Sequence, residues 1–153
     1  MHLGVVVELF TGTVVYNSAS NGCWNVEGNY PFPDGRMINY PCEWGLFTEV
    51  NFKFGITEPD SDGWSQIGAE PSGIAYCLYV GPNGGDPMFT TGCDSSDDRQ
   101  KFMFLAVGGA NFLVINKSTS QCLYLANDGI RTNTCNVDVR SSLHAFLCLK
   151  VQA

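Results

Sequence analysis

Short apolar runs separated by turn residues set the reading of this chain. TVVYN, CWNV, RMINYPC and NFKFGI follow one another in the first third, WSQIG, CLYV, MFTTGC and RQKFMFLAV in the second, and NFLVIN, CLYL, IRTNTC and LHAFLCLKV in the last. The runs are rich in Val, Ile, Phe, Tyr and Thr, and the stretches between them hold breakers such as PDG, NGG and NDG. β-Branched and aromatic residues bounded by Gly, Pro, Asn and Asp predict strands joined by tight turns. No amphipathic run is long enough to propose a helix, so the fold class is all-β, with about four strands per unit and about twelve in total.

The units are repeats. VVYNSASNGCWNV (14–26) aligns without a gap with LVINKSTSQCLYL (113–125), ninety-nine positions later. Six of the seven cysteines sort into sequential couples, Cys23 with Cys42, Cys77 with Cys93 and Cys122 with Cys135, separated by 19, 16 and 13 residues. The first cysteines of the couples lie 54 and 45 residues apart, a period typical of stacked supersecondary units. A chain of 153 residues suffices for one well-buried core and is too short for two typical domains. We therefore expect one domain over 1–153, with repeats at 9–56, 64–107 and 110–151. Three four-strand units that close on each other, with the termini meeting, describe a β-trefoil.

The cysteines also bear on compartment. None forms C-x-x-C and only one internal histidine is available, so a zinc site is a poorer reading than three disulfides. In the chain-entropy model each loop would add roughly 3 kcal/mol of stability. Disulfides imply an oxidising compartment, hence a secreted or extracellular protein; the alternative is six buried thiols in a reducing one. Cys148, amid the apolar AFLCLKV, is expected to be a buried free thiol, the alternative being a bond to another chain.

Composition excludes several classes. The chain is 44% hydrophobic and 15% charged, with no apolar run of the roughly 18 residues that a membrane-spanning helix needs. MHLGVVVELF has Glu8 inside it and no Lys or Arg before it, so it reads as a first strand rather than a secretory leader. With a net charge of -7 and its eight basic residues scattered, the chain lacks the cation cluster that nucleic acid requires.

The cysteine couples, each followed by a polar loop, and Gln100-Lys101-Phe102 closing CLYVGPNGGDPMFTTGCDSSDDRQKF resemble the ricin-B-type (R-type) lectins, whose corresponding motif is Gln-x-Trp. The units also resemble the cysteine-rich R-type domains of mannose-receptor-like proteins, and the likeness covers about residues 9 to 151. Where unit two has Gln-x-Phe, unit three has LHAF and unit one has VNF or FKF. The resemblance implies carbohydrate binding, and a glycan or glycoprotein partner, through one or two shallow pockets. In galactose-binding members an Asp two residues after the first cysteine supplies the key acceptor; here that position holds Asn25, Tyr79 and Tyr124.

Sugar recognition needs an aromatic face beside groups that accept from and donate to neighbouring hydroxyls. Unit one offers Asn25 with Tyr30, Phe32, Asp34 and Arg36 in a proline-stiffened loop, whose plainer reading is a packed turn. Unit two offers Asp97, Asp98, Arg99 and Gln100, with Arg99 suited to a carboxylate or sulfate; the plainer reading is a solvated loop tied down by Gln100. Unit three offers Tyr124, Asn127, Asp128, Arg131 and Arg140, although NDG is first a turn signal.

Weaker signals complete the picture. PDSDG (59–63) and DSSDD (94–98) carry oxygen ligands, but the first lacks the closing Glu of an EF-hand loop, and no metal or other cofactor is called for. His144 has no nucleophile motif beside it, so it reads as structural and the protein as a non-enzyme. Asn116-Lys117-Ser118 is a glycosylation sequon that fits an extracellular loop. The rival to a lectin is a protein-recognition module (receptor, inhibitor or toxin subunit) that has lost sugar binding. Either fits an oligomer or one domain of a larger extracellular protein.

Overall fold

A computed structural model describes residues 8–17, 22–26, 36–42, 54–69, 76–81, 87–126 and 129–148. Twelve strands follow in chain order: β1 (Glu8–Asn17), β2 (Gly22–Val26), β3 (Met37–Pro41), β4 (Phe54–Thr57), β5 (Ile67–Ala69), β6 (Tyr76–Tyr79), β7 (Met88–Thr91), β8 (Phe102–Gly108), β9 (Asn111–Asn116), β10 (Cys122–Leu125), β11 (Ile130–Asn133) and β12 (Ala145–Cys148). That is four per unit, as the turn spacing predicts.

Six of the strands close on themselves. β1 pairs antiparallel with both β4 and β12, β4 with β5, and β8 with β9. Two bridges finish the ring: Ser65, just before β5, pairs with Phe102, and His144, just before β12, pairs with Phe112. The other six strands form the hairpins β2–β3, β6–β7 and β10–β11, one per unit. This closed barrel with three hairpins is the β-trefoil expected from the repeats. Closure also removes the unpaired strand edges that an open sheet exposes.

Each hairpin is stapled by its own disulfide, Cys23–Cys42, Cys77–Cys93 and Cys122–Cys135, with Cα separations of 5.2, 5.1 and 4.9 Å. The period-2 pattern after each first cysteine then sends equivalent residues inward. Trp24, Leu78 and Leu123 are fully buried, and Val26, Val80 and Leu125 two places on are buried too. A third set, Phe54, Phe102 and His144, opens the return strand of each unit and is fully buried in all three.

His144 thus occupies the site that phenylalanine fills in the other units. Its Nδ1 accepts from Trp24 Nε1–H at 3.3 Å, leaving Nε2–H to donate to the Leu123 carbonyl at 3.0 Å. Burial among rings favours the neutral imidazole and lowers its pKa to about 4. Its structural reading in the sequence agrees with this geometry.

Asn17 and Asn116, which fall at the same place in the two aligned segments, have a mechanical task. Asn17 Nδ2 donates to the carbonyls of Arg140 and Leu143, and Asn116 Nδ2 to those of Arg99 (3.0 Å) and Lys101 (3.3 Å). Each asparagine so ties the first strand of its unit to the loop that closes the preceding one around the barrel. Asn116 is 0% exposed, which removes it as a glycan acceptor in the folded chain and corrects the sequon reading.

Candidate functional site

The loop after Cys93 brings unit two's polar residues together. Asp94 accepts from the backbone N–H and hydroxyl of Ser96, and Asp97 caps a 3-10 turn over Asp98–Gln100 by accepting from Arg99 N–H at 3.0 Å. These hydrogen bonds hold both carboxyls below the usual carboxylate range, the Ser96 hydroxyl acting most on Asp94 and the Arg99 guanidinium on Asp97.

Arg99 is set by the same carboxylate. Its Nε and Nη2 donate to Asp97 at 3.0 and 2.8 Å, and its guanidinium lies 5.7 Å from the centre of the Tyr79 ring. Carboxylate, cation and aromatic ring therefore stand side by side on a surface where Arg99 is 47% exposed. Asp97 fills the Nε–Nη2 edge of the Arg99 guanidinium, so a ligand would meet its Nη1 side.

Gln100 plays the plainer part. It is buried, its Oε1 accepting from Gln66 Nε2 at 3.0 Å and Asp94 N–H at 2.9 Å while its Nε2 faces the Gly92 carbonyl at 3.5 Å. It anchors the loop and offers no edge to a ligand. Asp98 is exposed and pairs with Lys117 at 3.3 Å.

Sequence reasoning missed a neighbouring cavity of about 550 Å³, lined by the β4–β5 connection together with Ser95 and Lys101. Asp60 Oδ1 accepts from the N–H groups of Asp62 and Trp64, which lowers the Asp60 pKa, the Trp64 bond acting most. Its Oδ2 lies 3.4 Å from Lys101 Nζ. Trp64, in WSQIG, reads as a strand residue in the sequence, and PDSDG as a poor calcium loop; the available signal was a Trp placed directly after that turn. Among the described residues no group of three or more His, Cys, Asp or Glu converges as a metal site.

The other units place their residues differently. Asn25 is 3% exposed on β2, so its amide does not reach the surface, while Tyr30 and Asp34 lie outside the described residues. Tyr124 is half-buried on β10 opposite Arg131, and Asn127 and Asp128 lie outside the described residues. Cys148 pairs with Thr13 through its strand, and its thiol is likewise outside what is described. The structure thus brings together Tyr79, Arg99 and Asp97, with Gln100 beneath them.

No family model matches the chain, and no curated protein matches it. Solved structures do. A designed three-fold symmetric protein, ThreeFoil, superimposes with a TM-score of 0.73 at 16% identity over 90% of this chain and 99% of its own. SeviL, solved bound to asialo-GM1 saccharide, gives 0.69 at 12% identity over 90% and 97%. The Haemophilus ducreyi cytolethal distending toxin gives 0.70 at 12% identity over 93% and 87%. At such identities the likeness establishes the β-trefoil fold and leaves function to the site itself.

Proposed function

We propose that the protein is a secreted or extracellular carbohydrate-binding module of R-type character, acting by binding rather than catalysis, with unit two as its working unit. The observation that carries this reading is the Asp97–Arg99–Tyr79 cluster at the position the lectin resemblance points to. A carboxylate accepts from hydroxyls, the uncommitted part of a guanidinium donates to them, and a ring covers the apolar face of a sugar. Asp97 is paired with Arg99 and Asp98 with Lys117, so the surface carries little net positive charge, which favours a neutral glycan over an anionic one. Three disulfides and a glycan-bound structural neighbour support the reading, as does the buried, neutral state of His144.

A glycan array probes it directly. At least one neutral glycan should bind, and Arg99→Ala and Tyr79→Ala should each weaken that binding by about tenfold, the size of losing one or two good polar contacts. Binding to no glycan, or binding undiminished in both variants, would count against it. A second reading, a protein-recognition module, draws on the exposure of Val137 and Val139 in the unit-three loop, 53% and 44%. It predicts that Val137→Asp, and not Arg99→Ala, abolishes capture of a protein partner.

A further inference from the structure

We propose that the cavity under Trp64 is a second carbohydrate subsite that takes a single neutral pyranose, independent of the Tyr79–Arg99 surface. Its volume of about 550 Å³ falls within the roughly 300–1,000 Å³ of small-molecule sites. Arg99 and Lys101 flank the buried Gln100 and reach different elements, Arg99 to Tyr79 of β6 and Lys101 to Asp60 of the β4–β5 connection. The two places therefore share an anchor and no contact residue.

The cavity is built rather than incidental. Asp60 N–H donates to the Trp64 carbonyl at 2.9 Å while Asp60 Oδ1 accepts from Trp64 N–H, so the turn fixes the carboxylate to the Trp64 backbone. The floor is bolted down as well: Gln66 N–H donates to Thr57 Oγ1 at 2.8 Å and Gln66 Nε2 to Gln100. Lys117 approaches the Trp64 ring to 5.8 Å and is itself held by Asp98.

Chemistry narrows the ligand. Asp60 can only accept and Lys101 can only donate, and the 3.4 Å between them suits a bridging pair of neighbouring hydroxyls. Trp64 supplies an aromatic wall, and Ser61 and Ser95 add hydroxyls at the rim. Glu58 and Asp60 against one ammonium disfavour an anion.

Among the described residues, unit three lacks the equivalent side chains. The bridges Ser65–Phe102 and Phe112–His144 set Trp64 against Asn111, Gln66 against Leu113 and Lys101 against Leu143, while Ser95 corresponds to Val137. In place of the nine-residue β4–β5 connection, β8 and β9 are joined by a tight turn at Gly108 and Gly109, whose φ angles of 115° and 59° glycine tolerates best.

Titration of the ¹⁵N-labelled chain with methyl glycosides of glucose, galactose, mannose, N-acetylglucosamine and N-acetylgalactosamine tests the proposal. The Trp64 indole signal, assigned by its loss in Trp64→Phe, should shift saturably with at least one of them, together with the amides of residues 60–66. Ser95→Trp, which plugs the cavity, and Asp60→Asn, which keeps the turn but loses the carboxylate, should each raise Kd by about tenfold or more. Both should leave glycan binding at Tyr79 and Arg99 unchanged. No shift at Trp64 with any glycoside, or an unaltered titration in a folded Ser95→Trp protein, overturns the subsite. Shifts confined to Tyr79 and Arg99 also overturn it while supporting the first site, and shifts confined to Trp64 do the reverse.

Discussion

The segment from Asp94 to Phe102 in unit two and that from Asn136 to His144 in unit three follow equivalent cysteines. Both close in a three-residue 3-10 turn whose last residue, Gln100 or Ser142, is buried, and both have carbonyls held by an asparagine of the neighbouring unit. The side chains differ where the backbone agrees. Unit two caps its turn with Asp97, which also sets Arg99, whereas Val139 at the same place makes no side-chain cap. Lys101 faces Asp60, and its counterpart is Leu143. One scaffold thus carries a polar, preorganised surface in one unit and exposed valines in another, so backbone and binding chemistry are set by separate residues.

Exchanging or removing those residues tests the separation. Asn116→Ala should have the largest effect. It strips buried bonds from the Arg99 and Lys101 carbonyls and should cost about 3 kcal/mol in urea unfolding, with glycan binding lost. Asn17→Ala, acting on the Arg140 and Leu143 carbonyls, should destabilise comparably while the folded fraction still binds. Equal loss of binding in both would end the distinction between the units.

Acid should expose the difference at Phe102 and His144. Because burial lowers the His144 pKa to about 4, the unfolded chain takes up a proton first as pH falls below 6.5, and about 3 kcal/mol of stability is lost between pH 6.5 and 4. The lowered carboxyls of Asp60, Asp94 and Asp97 act only below their unfolded value of 3.8. His144→Phe, which gives unit three the residue of unit two, should flatten the upper window in pH-dependent melting; an unchanged slope would show that His144 is not its source.

Asp97→Val imports the unit-three residue at the cap. It should cost about 1 kcal/mol by thermal melting and free Arg99 from its place over Tyr79, weakening binding. Lys101→Leu should change stability least, within about 0.5 kcal/mol for an exposed pair. Its effect should fall on neutral glycosides at Trp64 and spare the Tyr79 surface, which separate titrations can follow.

Much of the fold was legible because strand patterning and cysteine couples are local signals that recur. Trp24, Leu78 and Leu123 could be equated by counting one place past each cysteine. The role of Gln100 as an anchor was also readable, as a buried amide needs partners and the loop around it is polar. His144 was harder, because its kinship with Phe54 and Phe102 is positional and LHAF hides it behind a different chemistry. The Asn116 sequon misled since its side chain is spent on carbonyls 15 and 17 residues upstream. Asn25 carried the right functional group on a strand face that the fold covers. The meeting of Asp60 with Lys101, 41 residues apart, depends on how one unit's exit turn lies over the next unit's return strand, which no local pattern encodes.

The claim that unit two holds the working surface is tested most directly by a crystal structure of the protein with its best neutral glycan from an array. The account predicts sugar hydroxyls within hydrogen-bond distance of Arg99 and Asp97, with a ring face on Tyr79. Occupancy confined to the surface of Tyr124 and Arg131 in unit three would contradict it.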